Sequence, residues 1–315
     1  MAEFFGIDTS NYTTSAAVYN PENAVIKQKK MLLPVKDGEK GLRQSDALFH
    51  HIKQLPEVTR ELLEGSVFSA IGVSVRPRNL PGSYMPCFLA GETAADVLGA
   101  YSGIPVYKTS HQVGHILAAL FSSQKLFLIE QEKPFIAFHL SGGTTDCLIC
   151  TPDYNEVIKC EKISSSLDLK AGQAIDRVGV MLGLKFPCGP ALEKLALMSD
   201  KKYKIRPSMK GGCCSLSGLE NICKKMLSNG EKDCDTALYC IKYIESALLK
   251  MTEYALSING LAPLVFAGGV MSNKIIREAV ESRFEAYFAE PDFSSDNAAG
   301  TAVYAAVKEN RKCRF

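Results

Sequence analysis

The chain of 315 residues lacks any apolar run of about 18 residues or more, so we expect no transmembrane helix. Its first residues, MAEFFGIDTS, contain no basic stretch and no cleavage pattern, which argues against a signal peptide. An excess of charge is also missing, because 36 Lys and Arg against 34 Asp and Glu leave only +2; this does not indicate nucleic acid binding but permits a local basic patch. With 46% hydrophobic and 22% charged residues, the composition excludes collagen, coiled coil and disorder.

Cysteine is plentiful, but its pattern is not that of a zinc site. The chain has 11 Cys, and without a signal peptide these indicate reduced thiols in a cytoplasmic protein. Cys147 and Cys150 form a C-x-x-C pair, yet no second pair follows at the spacing of a zinc site. We therefore expect both to be small buried side chains of a strand.

Strands and helices alternate along the sequence, which predicts an α/β architecture, and the chain length predicts two lobes. The predicted strands are Phe4–Ile7, Ser15–Val18, Ala70–Val75, Val106–Lys108, Phe135–Leu140, Asp146–Ile149 and Leu264–Ala267. The predicted helices are Ser45–Leu63, Ala90–Tyr101, His111–Ser122, Lys170–Leu182, Pro190–Ala196, Thr236–Leu256, Asn273–Ser282 and Asn297–Val307. Pro56 is expected to kink or split the first helix.

One pattern occurs twice in the chain. Residues 4–19, FFGIDTSNYTTSAAVY, and residues 135–150, FIAFHLSGGTTDCLIC, each join two apolar strands by a turn of small and polar residues. A hairpin repeated once per half predicts two lobes of related build. These turns, and the pair Gly268 and Gly269 between a predicted strand and a helix, can hold phosphate on backbone N–H groups or can be tight turns only.

Two of the five histidines form a pair. Ser110 is positioned to cap a helix that begins at His111, so His111 and His115 lie one turn apart on one face. The pair projects away from the apolar stripe of this helix, which suits either a shared metal ion or two solvent-facing side chains. The spacing also resembles the H-E-x-x-H of zinc peptidases, but residue 112 is Gln, and an amide cannot act as a general base.

Eight motifs follow one another along the chain. They are Gly6–Ser10, His111 with His115, Ser141–Thr145, Asp168–Arg177, Leu182–Pro190, Ser215–Leu219, Gly268–Asn273 and Ser295–Asn297. In order and spacing they resemble those of the tRNA threonylcarbamoyladenosine transferases, the TsaD family, formerly described as O-sialoglycoprotein endopeptidases or the glycoprotease family. The resemblance runs nearly end to end, with departures typical of a divergent bacterial paralogue.

This resemblance implies a fold and a division of the chain. The family has the two-lobed actin-like ATPase fold of actin, sugar kinases and heat-shock ATPases, with a central nucleotide cleft. The first lobe is expected to span residues 1–108 and to be completed by a C-terminal helix over residues 297–315. The second lobe is expected to span residues 109–296.

The resemblance also implies a reaction. The family transfers a threonylcarbamoyl group from its anhydride with AMP to N6 of an adenosine in tRNA, using one iron or zinc ion. By position, His111, His115 and Asp296 match the metal ligands, and Asp8 is expected to be catalytic. His139 is expected to be catalytic and to supply a fourth ligand, or else only to hydrogen-bond the donor. Such an ion can act as a Lewis acid on the donor.

An adenine nucleotide, whether ATP, AMP or threonylcarbamoyl-AMP, is expected as ligand or substrate. The residues that match the nucleotide contacts of the family are Leu140, Ser141, Gly142, Gly143, Asp176, Gly189, Gly268, Gly269 and Asn273.

Several positions depart from the family pattern. Asn11, Tyr12 and Thr13 replace a Cys-Asp-Glu run, Val113 replaces a Glu, Thr144 replaces a His or Asn, and Glu220 replaces a Lys. The transferase interpretation therefore stands beside a non-catalytic nucleotide-binding paralogue or regulatory subunit of the same fold. Two weaker alternatives are a small-molecule kinase of the same superfamily, although the sequence has no kinase motif of the Gly-Asp-Gln type, and a metallopeptidase. The partners implied are tRNA, a dimerising pseudo-enzyme relative and a small ATPase, with no membrane.

A tRNA partner requires Lys and Arg residues at its phosphates. Each group of candidates could equally be a solvated loop. The candidates are Lys27, Lys29 and Lys30; Arg76 and Arg78; and Lys201, Lys202, Lys204, Arg206 and Lys210.

Overall fold

A computed structural model describes residues 2–10, 12–35 and 42–312, and it confirms the alternating α/β architecture. The strands are β1 (Glu3–Ser10), β2 (Thr13–Asn20), β3 (Val25–Leu32), β4 (Phe68–Arg76), β5 (Val106–Ser110), β6 (Phe135–Leu140), β7 (Thr145–Asp153), β8 (Val157–Ser165), β9 (Ser208–Lys210), β10 (Cys213–Ser215), β11 (Leu264–Ala267) and β12 (Ala286–Phe288). The helices are α1 (Gln44–Leu63), α2 (Phe88–Ser102), α3 (His111–Ser122), α4 (Phe127–Glu130), α5 (Ala171–Met181), α6 (Gly189–Ala196), α7 (Ser217–Ser228), α8 (Asp233–Asn259), α9 (Lys274–Glu281), α10 (Pro291–Ser294) and α11 (Ala299–Lys312), with a short 3-10 helix at Gly269–Ser272. None of the helices in the described ranges is long and apolar enough to cross a bilayer.

The chain divides into two compact units. Unit 1 comprises Met1–Lys133, Thr151–Cys160 and Asp292–Phe315, and unit 2 comprises Pro134–Cys150 and Glu161–Pro291. The boundaries expected at residues 108 and 297 differ from this division. Helix α3, which was expected in the second lobe, belongs to unit 1 because it packs against α11 of that unit.

Unit 1 is built on a five-stranded sheet in the order β3-β2-β1-β4-β5. Strand β1 pairs antiparallel with β2 and parallel with β4. Because side chains alternate along a strand, Phe5 and Ile7 of β1 enter the core with α1 and α2, and Gly6 between them faces α11. Lys27, Lys29 and Lys30, for which a solvated loop was the alternative to a phosphate contact, lie in β3. Helix α1 continues through Pro56 as one helix and does not split there.

Unit 2 repeats this plan. Its main sheet has the order β12-β11-β6-β7-β8, so β6 takes the place of β1, and β6 likewise pairs antiparallel with the next strand and parallel with a later one. The predicted hairpin repeat is thus real. Asp8, opposite Ser15, and His139, opposite Asp146, occupy equivalent positions in the two hairpins. Cys147 and Cys150 are fully buried thiols of β7, as expected.

A close approach of two glycines joins α3 to α11. A Cβ added to Gly300 would lie 1.8 Å from the carbonyl oxygen of Gly114 and 2.5 Å from its carbonyl carbon. Both are backbone atoms of α3, so no side-chain movement can relieve the overlap. This contact fixes the helix that carries both histidines of the pair against the helix that follows Asp296.

We expect Gly300→Ala to destabilise the protein by about 1–3 kcal/mol, because α11 must move away from α3. Thermal unfolding measures this loss. Gly218→Ala is the matched control, since a Cβ there meets nothing within 4 Å and the position is helical; its stability should change by less than about 0.5 kcal/mol. Equal melting temperatures for the two variants would contradict the close packing.

Candidate metal centre and nucleotide-binding turns

Strand β5 runs directly into α3, and Ser110 caps the helix as predicted. Its Oγ accepts a hydrogen bond from the backbone N–H of Val113 at 3.3 Å. The cap begins the helix at His111, which places His115 one turn later on the same side. Both imidazoles are buried, with 7% and 3% of their surface exposed, so the interpretation of the pair as solvent-facing is wrong.

Three ligand atoms converge at this end of α3. His115 Nε2 lies 3.1 Å from His111 Nε2 and 3.1 Å from Asp296 Oδ1, and His111 Nε2 lies 3.5 Å from the same oxygen. Tetrahedral ligands at about 2.0–2.1 Å from one zinc ion would be separated by roughly 3.3 Å, so the triangle has the size that one such ion needs. The chemistry of the ligands, two imidazoles and a carboxylate, also suits iron or zinc. These three residues fit a metal ion.

Asp8 lies behind His111 and not among these ligand atoms. Its carboxylate oxygens are 3.2 and 3.3 Å from His111 Nδ1, and they accept hydrogen bonds from the hydroxyls of Ser10 and Ser74. A carboxylate that accepts the Nδ1 proton fixes the tautomer of the imidazole and leaves Nε2 able to ligate a metal. The structure thus gives Asp8 a positioning contact to a predicted metal ligand.

The two carboxylates make this site attract positive charge. Burial by itself would lower the pKa of His111, but Asp8 and Asp296 outweigh it and raise that pKa to about 10. Burial and the neighbouring charge of His111 lower the pKa of His115. Burial would raise the pKa of Asp8 and of Asp296, yet the histidine contacts hold both below the usual value. A divalent ion would replace the proton on His111 Nε2 as the balancing charge.

A lysine of β3 holds the loop that supplies Asp296. Lys30 Nζ donates to the backbone oxygen of Asp292 at 2.9 Å and to Ser295 Oγ at 3.0 Å. Gln28 on the same strand donates to the same backbone oxygen. Lys30 was a candidate phosphate contact from sequence, whereas its ammonium group is engaged beside a predicted metal ligand.

We expect Lys30→Met to weaken zinc binding by up to about tenfold, because the loop loses two hydrogen bonds that orient Asp296. Competition with a chromophoric chelator measures this. Lys27→Met, on the same strand and exposed, is the matched control and should bind zinc as the parent chain does. If Lys30→Met instead kept its zinc affinity and lost affinity for tRNA, the role of Lys30 in the loop would be wrong.

In unit 2, the predicted phosphate-binding turn follows β6. Ser141 N–H donates to the Thr144 carbonyl at 2.9 Å and closes the turn, while Gly142 and Gly143 are exposed at its tip. A Cβ on either glycine would meet nothing within 4 Å, so their backbone is open to a ligand. The first turn of α5 packs behind them, where a Cβ on Gly172 would lie 2.7 Å from the Ser141 carbonyl oxygen.

Two further predicted contacts lie near α5. Asp176, one turn beyond Gly172, accepts a hydrogen bond from the backbone N–H of Cys188 at 2.8 Å, which ties α5 to the residue before Gly189. Burial raises the pKa of Asp176, and that hydrogen bond opposes the rise. Space in front of Gly189 is open as well.

The glycine pair after β11 is adjacent to the end of β6. Gly268 has a φ of 94°, and a Cβ there would lie 2.3 Å from the Leu140 carbonyl oxygen, so only glycine fits. Gly269 faces open space. Asn273 is less available than expected, because its side chain caps α9 by accepting from Ile276 N–H at 3.1 Å. The sheet therefore brings Leu140–Gly143 and Gly268–Gly269 together within unit 2.

His139 is buried in β6, where it pairs with Ala267 of β11 and Asp146 of β7. It belongs to unit 2, whereas the histidine pair and Asp296 belong to unit 1. Its roles as a fourth ligand and as a catalytic residue stay predictions.

Two of the positions that depart from the family pattern have partners within the fold. Glu220 on α7 pairs with Arg177 at 3.1 Å and with Lys224 at 2.9 Å. Val113 is a core residue of α3. Asn11 lies outside the described residues.

The sequence did not point to three residues near the candidate metal centre, Ser10, Ser74 and Lys30. Of these, only Ser10 could have been found from the sequence, because it lies two residues after Asp8 and so on the same side of one strand.

One known protein family matches most of the chain. The model of the TsaD family, tRNA N6-adenosine threonylcarbamoyltransferase, matches residues 24–303. This span includes the histidine pair, Asp296 and every predicted nucleotide contact.

Solved structures share the fold at low sequence identity. Component A of the (R)-2-hydroxyglutaryl-CoA dehydratase of Acidaminococcus fermentans is 14% identical over 99% of this chain and 100% of that chain, with a TM-score of 0.60. Full-length HypF in its phosphate- and nucleotide-bound form is 12% identical over 100% of this chain and 56% of that chain, with a TM-score of 0.61. A ROK family glucokinase of Streptomyces griseus, in complex with glucose and AMPPNP, is 14% identical over 97% of this chain and 99% of that chain, with a TM-score of 0.52. These neighbours confirm the fold expected from sequence, that of actin-like ATPases and sugar kinases.

Proposed function

Because the chain belongs to the TsaD family of tRNA N6-adenosine threonylcarbamoyltransferases, we propose that it transfers a threonylcarbamoyl group from an acyl-adenylate to N6 of an adenosine in tRNA. The match of the family model over residues 24–303 carries the proposal. In the reaction, N6 attacks the carbonyl carbon of the donor and forms a C–N bond. The C–O bond to the phosphate breaks, AMP leaves with that electron pair, and the nitrogen loses one proton to solvent.

We assign metal binding to unit 1. His111 and His115 would hold the ion through Nε2 and Asp296 through its carboxylate, while Asp8 keeps the Nδ1 proton of His111 turned away from it. When bound, an iron or zinc ion supplies Lewis acid chemistry for the oxygen atoms of the donor. Lys30 and Gln28 keep the Asp296 loop in place.

We assign nucleotide binding to unit 2. The open backbone of Gly142 and Gly143 would receive the phosphate of the donor, since successive N–H groups in a turn form an anion site. Asp176 would accept hydrogen bonds from the ribose, and Gly189 and Gly269 leave room for the nucleoside. A donor phosphate held on such N–H groups leaves more easily as AMP, because the negative charge that it gains is stabilised.

Three measurements on one purified sample test the proposal. Elemental analysis should find one iron or zinc ion per chain, and calorimetry should find binding of AMP or ATP. A transfer assay with threonylcarbamoyl-AMP and tRNA should then form modified adenosine, with the proposed family partners, a dimerising pseudo-enzyme relative and a small ATPase, added where the chain alone is inactive. Bound metal and nucleotide without transfer, even with the partners present, would overturn the proposal.

A second function is favoured by one observation. Glu220 occupies the place of a Lys in the family pattern and neutralises Arg177, which removes positive charge from the start of α7. A non-catalytic nucleotide-binding subunit would tolerate this change. The transfer assay separates the two, because such a subunit binds nucleotide and modifies no tRNA.

A further inference from the structure

A basic strip runs along the surface of unit 2 between α6 and α7. From Lys202 to Lys210, exposed and half-buried residues alternate. The exposed positions include four cations, Lys202, Lys204, Arg206 and Lys210, which we call the basic strip. The alternation is that of an extended strand, in which a two-residue repeat covers about 6.6 Å.

The opposite side of the segment is attached to the body of unit 2. Tyr203, Ile205 and Met209 pack against its hydrophobic core. Tyr203 OH donates to the Asp235 carbonyl at 3.2 Å, and Ser208 N–H donates to Tyr243 OH at 3.1 Å. The strip is therefore presented by an attached backbone, so binding a ligand would cost little ordering entropy.

The end of the strip is fixed by a tight hairpin. Lys210 lies opposite Cys213, and the two residues between them, Gly211 and Gly212, have φ values of 53° and 78°. Positive φ at both central residues is the requirement of a type I′ turn, which glycine meets without strain. A Cβ on Gly212 would lie 2.1 Å from the ring of Tyr254, so the hairpin is also packed against α8.

The four cations differ from their neighbour Lys201 in their contacts. Among the residues that the structure describes, none of them lies within 4 Å of a carboxylate. Neighbouring Lys201 differs, since it pairs with Glu231 and Asp235. The basic strip is therefore a local concentration of positive charge on a chain whose net charge is only +2.

We propose that the basic strip binds the phosphate backbone of the RNA substrate, an inference that rests on the proposed function. Cations on one side of an extended segment, two or four residues apart, complement the one negative charge per nucleotide of a strand. The tyrosines beneath the strip are turned into the core and their hydroxyl groups contact the protein, so they do not offer faces for stacked bases. The strip therefore orients tRNA by its phosphates and contributes no base specificity.

Neutralising the strip tests this assignment. In the variant K202Q/K204Q/R206Q/K210Q, affinity for unmodified tRNA should fall by at least about tenfold. The slope of log affinity against log salt concentration should become shallower by about 3, because each of the four lost phosphate contacts contributes roughly 0.7–0.9 to that slope. The matched control K108Q/K224Q/K250Q/R277Q also removes three Lys and one Arg, but at positions where the cation is paired with a carboxylate. It should keep both the affinity and the slope of the parent chain to within about twofold.

Other results would overturn the inference. An equal loss of affinity in both variants would mean that only net charge matters, and no loss in either would mean that tRNA binds elsewhere or not at all. Loss of binding to vesicles containing anionic phospholipid, with tRNA affinity unchanged, would identify a membrane-binding strip. Metal content and AMP affinity are measured on the same samples. If the parent chain binds metal and AMP but does not bind tRNA, the acceptor in the proposed function is wrong as well as the role of the strip. If the parent chain binds tRNA and the strip variant binds it equally well, only the role of the strip is wrong.

Discussion

Replacing His111 by alanine is expected to reduce zinc affinity by more than about 100-fold and to abolish transfer activity with it. The substitution removes one corner of the ligand triangle and leaves His115 and Asp296, 3.1 Å apart, as the remaining donors. Two donors bind a divalent ion far more weakly than three, and the Asp8 carboxylate would then lie buried without its imidazole partner. Elemental analysis after dialysis and chelator competition measure the effect.

The control for this experiment is His50→Ala. His50 lies on α1 and belongs to no ligand group among the described residues, so metal content should be unchanged. Because an unpaired Asp8 also costs stability, melting temperatures of both variants are recorded in chelator. A folded His111→Ala chain that retains one ion with the affinity of the parent would reject the assignment of the metal centre.

Replacing Asp8 by asparagine is expected to lower zinc affinity by about 10–100-fold, the range typical of residues that orient a metal ligand. Asparagine keeps the volume and one acceptor for Ser10 or Ser74, but it lacks the charge that holds the Nδ1 proton of His111. The imidazole of His111 can then rotate or carry its proton on Nε2, and in that tautomer Nε2 has no lone pair for a metal ion. Asp8→Ala should in addition destabilise the fold by about 3 kcal/mol, since buried hydroxyl groups lose their acceptor.

This experiment separates positioning from direct catalysis. If Asp8 acts only through His111, activity and zinc affinity should fall together, and saturating zinc should restore most of the activity of Asp8→Asn. If Asp8 contacts the reacting groups, as its sequence motif first suggested, activity would fall while zinc affinity stayed within about twofold of the parent chain. The second result would contradict the role that we derive from its contacts.

Much of the fold could be predicted from the sequence because its signals are local. The apolar runs 4–7 and 135–138, each followed by a turn of small residues, predicted the repeated hairpins and hence the two related sheets. Ser110 predicted the start of α3, and helical periodicity then placed His111 and His115 on one face. The loop alternative for Lys27, Lys29 and Lys30 is wrong, and the sequence could not exclude it, because charged residues on a half-exposed edge strand do not differ in composition from a solvated turn.

What the sequence determined by itself was therefore each element, its caps and the spacing of side chains within it, because these depend on neighbours one or two turns away. The tertiary structure alone decided how those side chains meet. His111 contacts Asp8 across 103 positions, His115 meets Asp296 across 181, and Lys30 reaches Ser295 across 265. Such pairs arise from the order of strands in the sheet and from the glycine contact between α3 and α11, and no periodicity along the chain encodes them. Only that packing places Asp8 against His111, a predicted metal ligand, and Lys30 against the loop that carries Asp296.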